Sequence, residues 1–141
     1  MIRVSLIALS LCSLVTFANA ADSSPPPGAI NPAVTQSNIR TTICVHGWTD
    51  TVRPTKYYTS SLKRKQMFER KLPGRPVDYE EDHMISLELG GAPSDPSNLW
   101  PQRWPAAKIK DKLENTLHRR VCAGEMTLGV ARSNIRLWQD P

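Results

Sequence analysis

Long apolar runs, cysteine and histidine are all scarce in this 141-residue chain, and each scarcity narrows what it can be. The one extended apolar run, Val4 to Val15, is too short and wrongly flanked to span a bilayer stably. Arg3 precedes it and Ala18-Asn19-Ala20 follows it, so residues 1–20 read as an export signal ending at a signal-peptidase site. Leu11, standing just before Cys12, argues against a lipoprotein. The remainder from Ala21 suffices for one domain with one modest core. No internal repeat is visible. Of three cysteines, Cys44 and Cys122 survive removal of the signal. An even pair in an oxidising compartment predicts a disulfide, and the protein is expected to be periplasmic or secreted. Excess charge is also small. Lys and Arg number 18 against 13 Asp and Glu, a formal +5 that falls by one when Arg3 leaves. That balance is compatible with nucleic acid or anionic envelope surfaces, and equally with an ordinary solvated exterior.

Residues 21–37 are rich in Pro, Ser, Ala and Gly around Pro25-Pro26-Pro27-Gly28, and read as a disordered tether. An ordered domain is expected over 38–141. Thr41 to Val45 has the β-branched character of a short strand or extended segment, and His46 to Asp50 that of a turn. Thr59 or Ser60 is expected to cap a helix running to about Arg70. Its Lys63, Arg64, Lys65, Arg70 and Lys71 read as a solvated face more readily than as phosphate contacts. Leu72-Pro73-Gly74-Arg75-Pro76 breaks it. Two strands follow, near Tyr79–Leu89 and Asn98–Gln102, joined by an irregular Gly/Pro loop. A helix is predicted from about Ala106 to Cys122, with Ile109, Leu113, Leu117 and Val121 as its apolar stripe. Ala123-Gly124 ends it. A last helix is expected from Thr127 to about Leu137, with Leu128, Ala131 and Ile135 facing inward.

The chemistry-bearing stretch is Tyr79-Glu80-Glu81-Asp82-His83, then Gly90-Gly91, then Asn98-Leu99-Trp100-Pro101-Gln102. Hydrolysis of a phosphodiester needs an activated water, charge stabilisation at phosphorus and help for the leaving oxygen. A histidine can supply the first and a metal ion the others. His83 alone among the histidines follows a carboxylate and lies on a strand-like run. His46 and His118 read as structural or surface residues, and Trp48, Trp100, Trp104 and Trp138 as packing. Glu80 and Glu81 would repel phosphate unless they help bind metal.

Asp82-His83, Gly90-Gly91 and Asn98-Leu99 leading into a helix resemble the HNH (ββα-metal, His-Me finger) endonucleases, and the longer pattern is similar to small secreted HNH-like bacterial proteins. The motif covers about Tyr79 to Leu117. The resemblance implies an α+β fold, one small domain whose hairpin-plus-helix core grips one metal between flanking helices. It implies His83 as general base, Asn98 as the residue that orients it or braces the hairpin, and Asp82 as first metal ligand. The family's closing histidine is missing, since its place falls near Ala107. Positions 107, 111, 114 and 118 share one helical stripe, which makes Asp111 the expected second ligand, with Glu114 and His118 on the same face. An oxygen-based site suits magnesium or manganese better than zinc. Arg103, Lys108 and Lys110 lie beside it as candidate phosphate contacts. No recognition helix or finger is evident. The implied activity is therefore cleavage of nucleic acid, DNA before RNA, with little sequence preference. Ala107 favours a second reading, an inactive binding or structural module of the envelope with the same fold. Hydrolysis of another phosphate ester is a third.

Overall fold

The computed structural model describes residues 25–140, so the expected export signal lies outside them. Its order is α1 (Trp48–Val52), α2 (Lys56–Glu69), β1 (Tyr79–His83), β2 (Leu99–Arg103), α3 (Trp104–Ala123) and α4 (Leu128–Arg136), with short 3₁₀ turns between them. β1 and β2 form an antiparallel pair from Tyr79 opposite Arg103 to His83 opposite Leu99. A lone two-stranded ribbon is marginal in water. Here α2 and α3 pack on it, and the Gln66 side chain of α2 donates 2.9 Å to the Leu99 carbonyl. The result is an α+β domain with one disulfide, as the sequence predicts.

The first strand is shorter than its apolar run suggested. Beyond His83 the chain turns inward, because one side chain takes the place of a continuing partner strand. Asn98 accepts from Ile85 N at 2.9 Å and donates to the carbonyls of Ile85 (3.0 Å) and Ala92 (2.9 Å). Ile85 and Leu89 can then bury completely without a ladder. The Gly-Gly pair fits the same loop for two separate reasons. Gly90 has φ +69°, and a Cβ on Gly91 would stand 1.8 Å from the Ile85 carbonyl oxygen.

α3 turns a different face to the hairpin than the periodicity implied. Leu117 and Val121 are buried as expected, but Ile109 is 45% exposed and Leu113 only half-buried. Nearer the hairpin the inward positions are Ala106, Ala107, Lys110 and Glu114. The alanines let the helix approach closely, and Lys110 meets a polar partner on β1. In α4, Leu128, Ala131 and Ile135 all enter the core, and the Thr127 side chain caps the helix by accepting from Val130 N. Among the described residues no helix is long and apolar enough to cross a membrane.

Two N-terminal expectations need correction. Residues 25–37 are not a free tether. Val34 sits in the core at 2% exposure, Ile30 bridges Gly91, and Gly28 N donates to Ser97 O at 3.0 Å. The segment carries enough well-placed apolar and backbone groups to dock on the loop. The strand expected over Thr41–Val45 is a series of turns after a 3₁₀ turn at Gln36–Thr41. The hydroxyls of Thr41 and Thr42 both donate to the Asn38 carbonyl, a local satisfaction that competes with strand pairing. α2 also begins earlier than expected, with Thr55 as its cap. Cys44 and Cys122 are disulfide-bonded, Cα to Cα 5.6 Å, tying these turns to α3. Arg132 on α4 closes the back of the domain, donating to the carbonyls of Leu89, Val34 and Gly90.

Candidate active site

Side chains alternate along β1, so Glu81 and His83 share one face while Glu80 and Asp82 share the other. Asp82 is 8% exposed and both its oxygens are engaged. Oδ1 accepts from its neighbour's backbone, His83 N, at 2.7 Å, and Oδ2 accepts from Lys110 Nζ at 3.0 Å. Lys110 Nζ also donates to the His83 carbonyl at 2.7 Å and to Glu114 Oε1. Burial opposes the lysine's charge, but the carboxylates of Asp82 and Glu114 outweigh it and hold Lys110 more firmly protonated than usual. Lys110 was expected beside Arg103 and Lys108 as a phosphate contact. It is instead fully buried and out of a substrate's reach, because two buried carboxylates need a cation between them.

His83 is 7% exposed, and its Nε2 lies 2.9 Å from the Pro93 carbonyl oxygen. A carbonyl can only accept, so Nε2 carries the proton and Nδ1 keeps the lone pair. Burial pulls the imidazole pKa down against the opposing pull of Pro93 and Asp82, favouring the neutral ring. Asn98 does not touch His83. It holds the Ala92 carbonyl, one residue before the carbonyl that fixes the imidazole, and is itself fully buried. Its role is positioning, through the loop.

Beside His83 opens a cavity of about 240 Å³ lined by Arg53, Glu80, Asp82, Glu88, Asp111 and Glu114 among others. Burial, reinforced by the charges of Asp82 and Asp111, pushes Glu80 up to about 7. Asp111, on the exposed rim, is raised by burial and then by Asp82. Glu88 is raised as well, by burial first. Thus Glu80, Asp82 and Asp111 feel one another across a single cavity, and crowded negative charge with oxygen donors suits a hard divalent cation. Their oxygens do not converge in a ready-made cage. The one group among the described residues with ligand atoms within 4.8 Å of each other is Cys44, His118 and Cys122, whose sulfurs are bonded together. His118 instead contacts the Ile43 carbonyl at 2.8 Å and Glu88 at 3.5 Å.

A second cavity, about 460 Å³, adjoins the first and shares Arg53, Glu80, Glu81 and His83 with it. Arg53, Lys56, Lys63 and Trp104 stand around it, and His83 lines both cavities. Arg103 and Lys108 are exposed, Arg103 lying 5.0 Å from the centre of the Tyr79 ring. The sequence reading had Glu80 as a conditional metal ligand beside Glu81, and missed Arg53 and Lys56. Strand alternation would have placed Glu80 beside Asp82, but nothing local shows that α1 and α2 fold over the hairpin. Comparison with protein-family models, curated proteins and solved structures returns no match for this chain.

Proposed function

We propose that this protein is an exported, metal-dependent endonuclease of the HNH type, cleaving phosphodiesters in nucleic acid, DNA before RNA, with little sequence preference. The observation that carries the reading is His83. It is a neutral imidazole tied through Nε2 to a backbone carbonyl, so that Nδ1 keeps its lone pair, and it lines both the carboxylate-rich cavity and the adjoining one that holds Lys56 and Lys63. Such a group is suited to take a proton from water. Asn98 keeps the loop that fixes it, and Lys110 holds the Asp82 carboxylate in place while satisfying Glu114. Asp82 and Asp111, with Glu80, would hold magnesium or manganese. A carboxylate has lone pairs to spare beyond the two contacts Asp82 makes. Such an ion, when bound, stabilises charge on phosphate oxygens. The disulfide accords with an oxidising compartment.

One observation favours a second reading, an inactive binding module. A lysine ammonium already neutralises Asp82, and Ala107 offers no ligand. The two readings part on incubation of supercoiled plasmid with the mature chain and magnesium or manganese, with and without chelator. The nuclease reading expects metal-dependent nicking that His83→Ala lowers by about 100-fold or more. A folded protein that nicks nothing with any divalent metal sinks it and leaves the binding module.

A further inference from the structure

The second cavity is divided unequally among the basic residues of α1 and α2. On the outer face of α2, Lys65 pairs with Glu69 at 3.9 Å, and Arg64 reaches the Ser61 hydroxyl at 3.4 Å. On the cavity side Arg53 and Lys56 are exposed and form no ion pair among the described residues, although the Arg53 charge is felt by Glu80, which lines the same cavity. Lys63 stands behind them, its ammonium donating 2.7 Å to the Tyr79 carbonyl, and Thr59 and Ser60 add hydroxyls to the wall. Glu81 forms the floor, and both its oxygens are sealed from solvent, so its carboxyl does not face an entering ligand. At the far rim Trp104 is 41% exposed, and its indole N–H donates 3.0 Å to the Val77 carbonyl, which fixes the ring while leaving part of it open.

We propose that this groove between α2 and β1 is the strand-binding site for a single-stranded or splayed segment of nucleic acid. Arg53 and Lys56 take one phosphate next to His83, and the indole of Trp104 stacks an unpaired base. This rests on the nuclease reading for its direction, because the groove and the carboxylate-lined cavity both reach His83. Unpaired cations beside hydroxyls match a phosphodiester, and a fixed, half-exposed indole matches a base of any identity. Glu80 and Glu81 line both cavities, but Lys56 and Lys63 stand only on the groove side and Asp82, Asp111 and Glu114 only on the other, so the anionic backbone is favoured in the groove.

The test is fluorescence anisotropy of a labelled oligonucleotide with the full mature chain carrying His83→Ala, in chelator, so that binding is read without cleavage. Adding Arg53→Glu and Lys56→Glu should weaken single-strand binding by about tenfold or more, and flatten its salt dependence. Arg64→Glu with Lys65→Glu, the same charge change on the outer face, should alter it by less than about threefold. Trp104→Ala should weaken single strands more than a duplex of the same sequence. Melting curves confirm that each variant is folded. Equal losses from the two double variants overturn the site, as does the absence of oligonucleotide binding or a preference for anionic lipid vesicles. Plasmid nicking by the unmutated chain reports on the nuclease reading separately. A chain that binds through Arg53 and Lys56 but never cleaves keeps the groove and loses the enzyme.

Discussion

An ammonium withdrawn wholly from water costs several kcal/mol, and Lys110 recovers it through three acceptors, Asp82, Glu114 and the His83 carbonyl. Deleting the cation while leaving both carboxylates buried is therefore worse than deleting any surface pair. Lys110→Met is expected to lower unfolding free energy by about 3–5 kcal/mol, read by urea denaturation. A loss under about 1 kcal/mol would show that the ion triad is not what holds α3 to β1. From sequence the residue reads as one more basic side chain near the site. Its neighbour Asp111 lies about 100° round the helix, and that small rotation decides which of them enters the core. Asp82, His83 and Asn98 were legible because their order and types are unusual. The rotation of α3 was not, since it depends on two buried carboxylates claiming a partner.

At the scale of elements, the hairpin and the last two helices could be read from turn residues and apolar spacing. The end of β1 could not, because the Asn98 side chain supplies hydrogen bonds that a strand would have supplied. The start of the chain misled for another reason. A proline-rich composition has few apolar residues, yet one buried side chain, Val34, and the backbone bridge from Ile30 to Gly91 suffice to dock it on the Gly-Gly loop. The disulfide bridges 78 positions between the early turns and the end of α3, reinforcing a seam where Ile39 and Ile43 already pack with Leu117 and Val121. Cys44→Ser should cost about 4 kcal/mol on the chain-entropy estimate and leave any activity of the folded fraction intact. A melting temperature indifferent to reducing agent would contradict that.

Across the whole molecule the carboxylates set a pH dependence. Burial, with Asp82 nearby, raises Glu80 from 4.5 to about 7 and Glu81 from 4.5 to about 8. In that window the folded chain binds more protons than the unfolded one, so their contribution is fully present below 4.5 and is lost as pH rises through the folded values. His83, with its lowered pKa, acts oppositely but is a single group. In chelator the melting temperature should therefore fall between about pH 5 and pH 8. Magnesium or manganese should restore it at the upper end more than at the lower, because a cation favours the ionised carboxylates. A flat or rising profile that ignores the cation would contradict the crowded-carboxylate site.

Arg132 has a consequence for the order of folding. Its guanidinium joins the carbonyl of Val34, near the start of the described chain, to those of Leu89 and Gly90 behind the His83 loop, while Arg136 reaches Pro27 and Gly28. Those to Val34, Gly28 and Pro27 span 98, 108 and 109 positions, the widest separations among the hydrogen bonds of the described residues, and none can form before α4 exists. The hairpin and the Asn98 bonds that hold its loop need no part of α4, but the arginine clamp on the back of that loop waits for the last helix. That clamp is therefore completed only once the whole of α4 has left the ribosome.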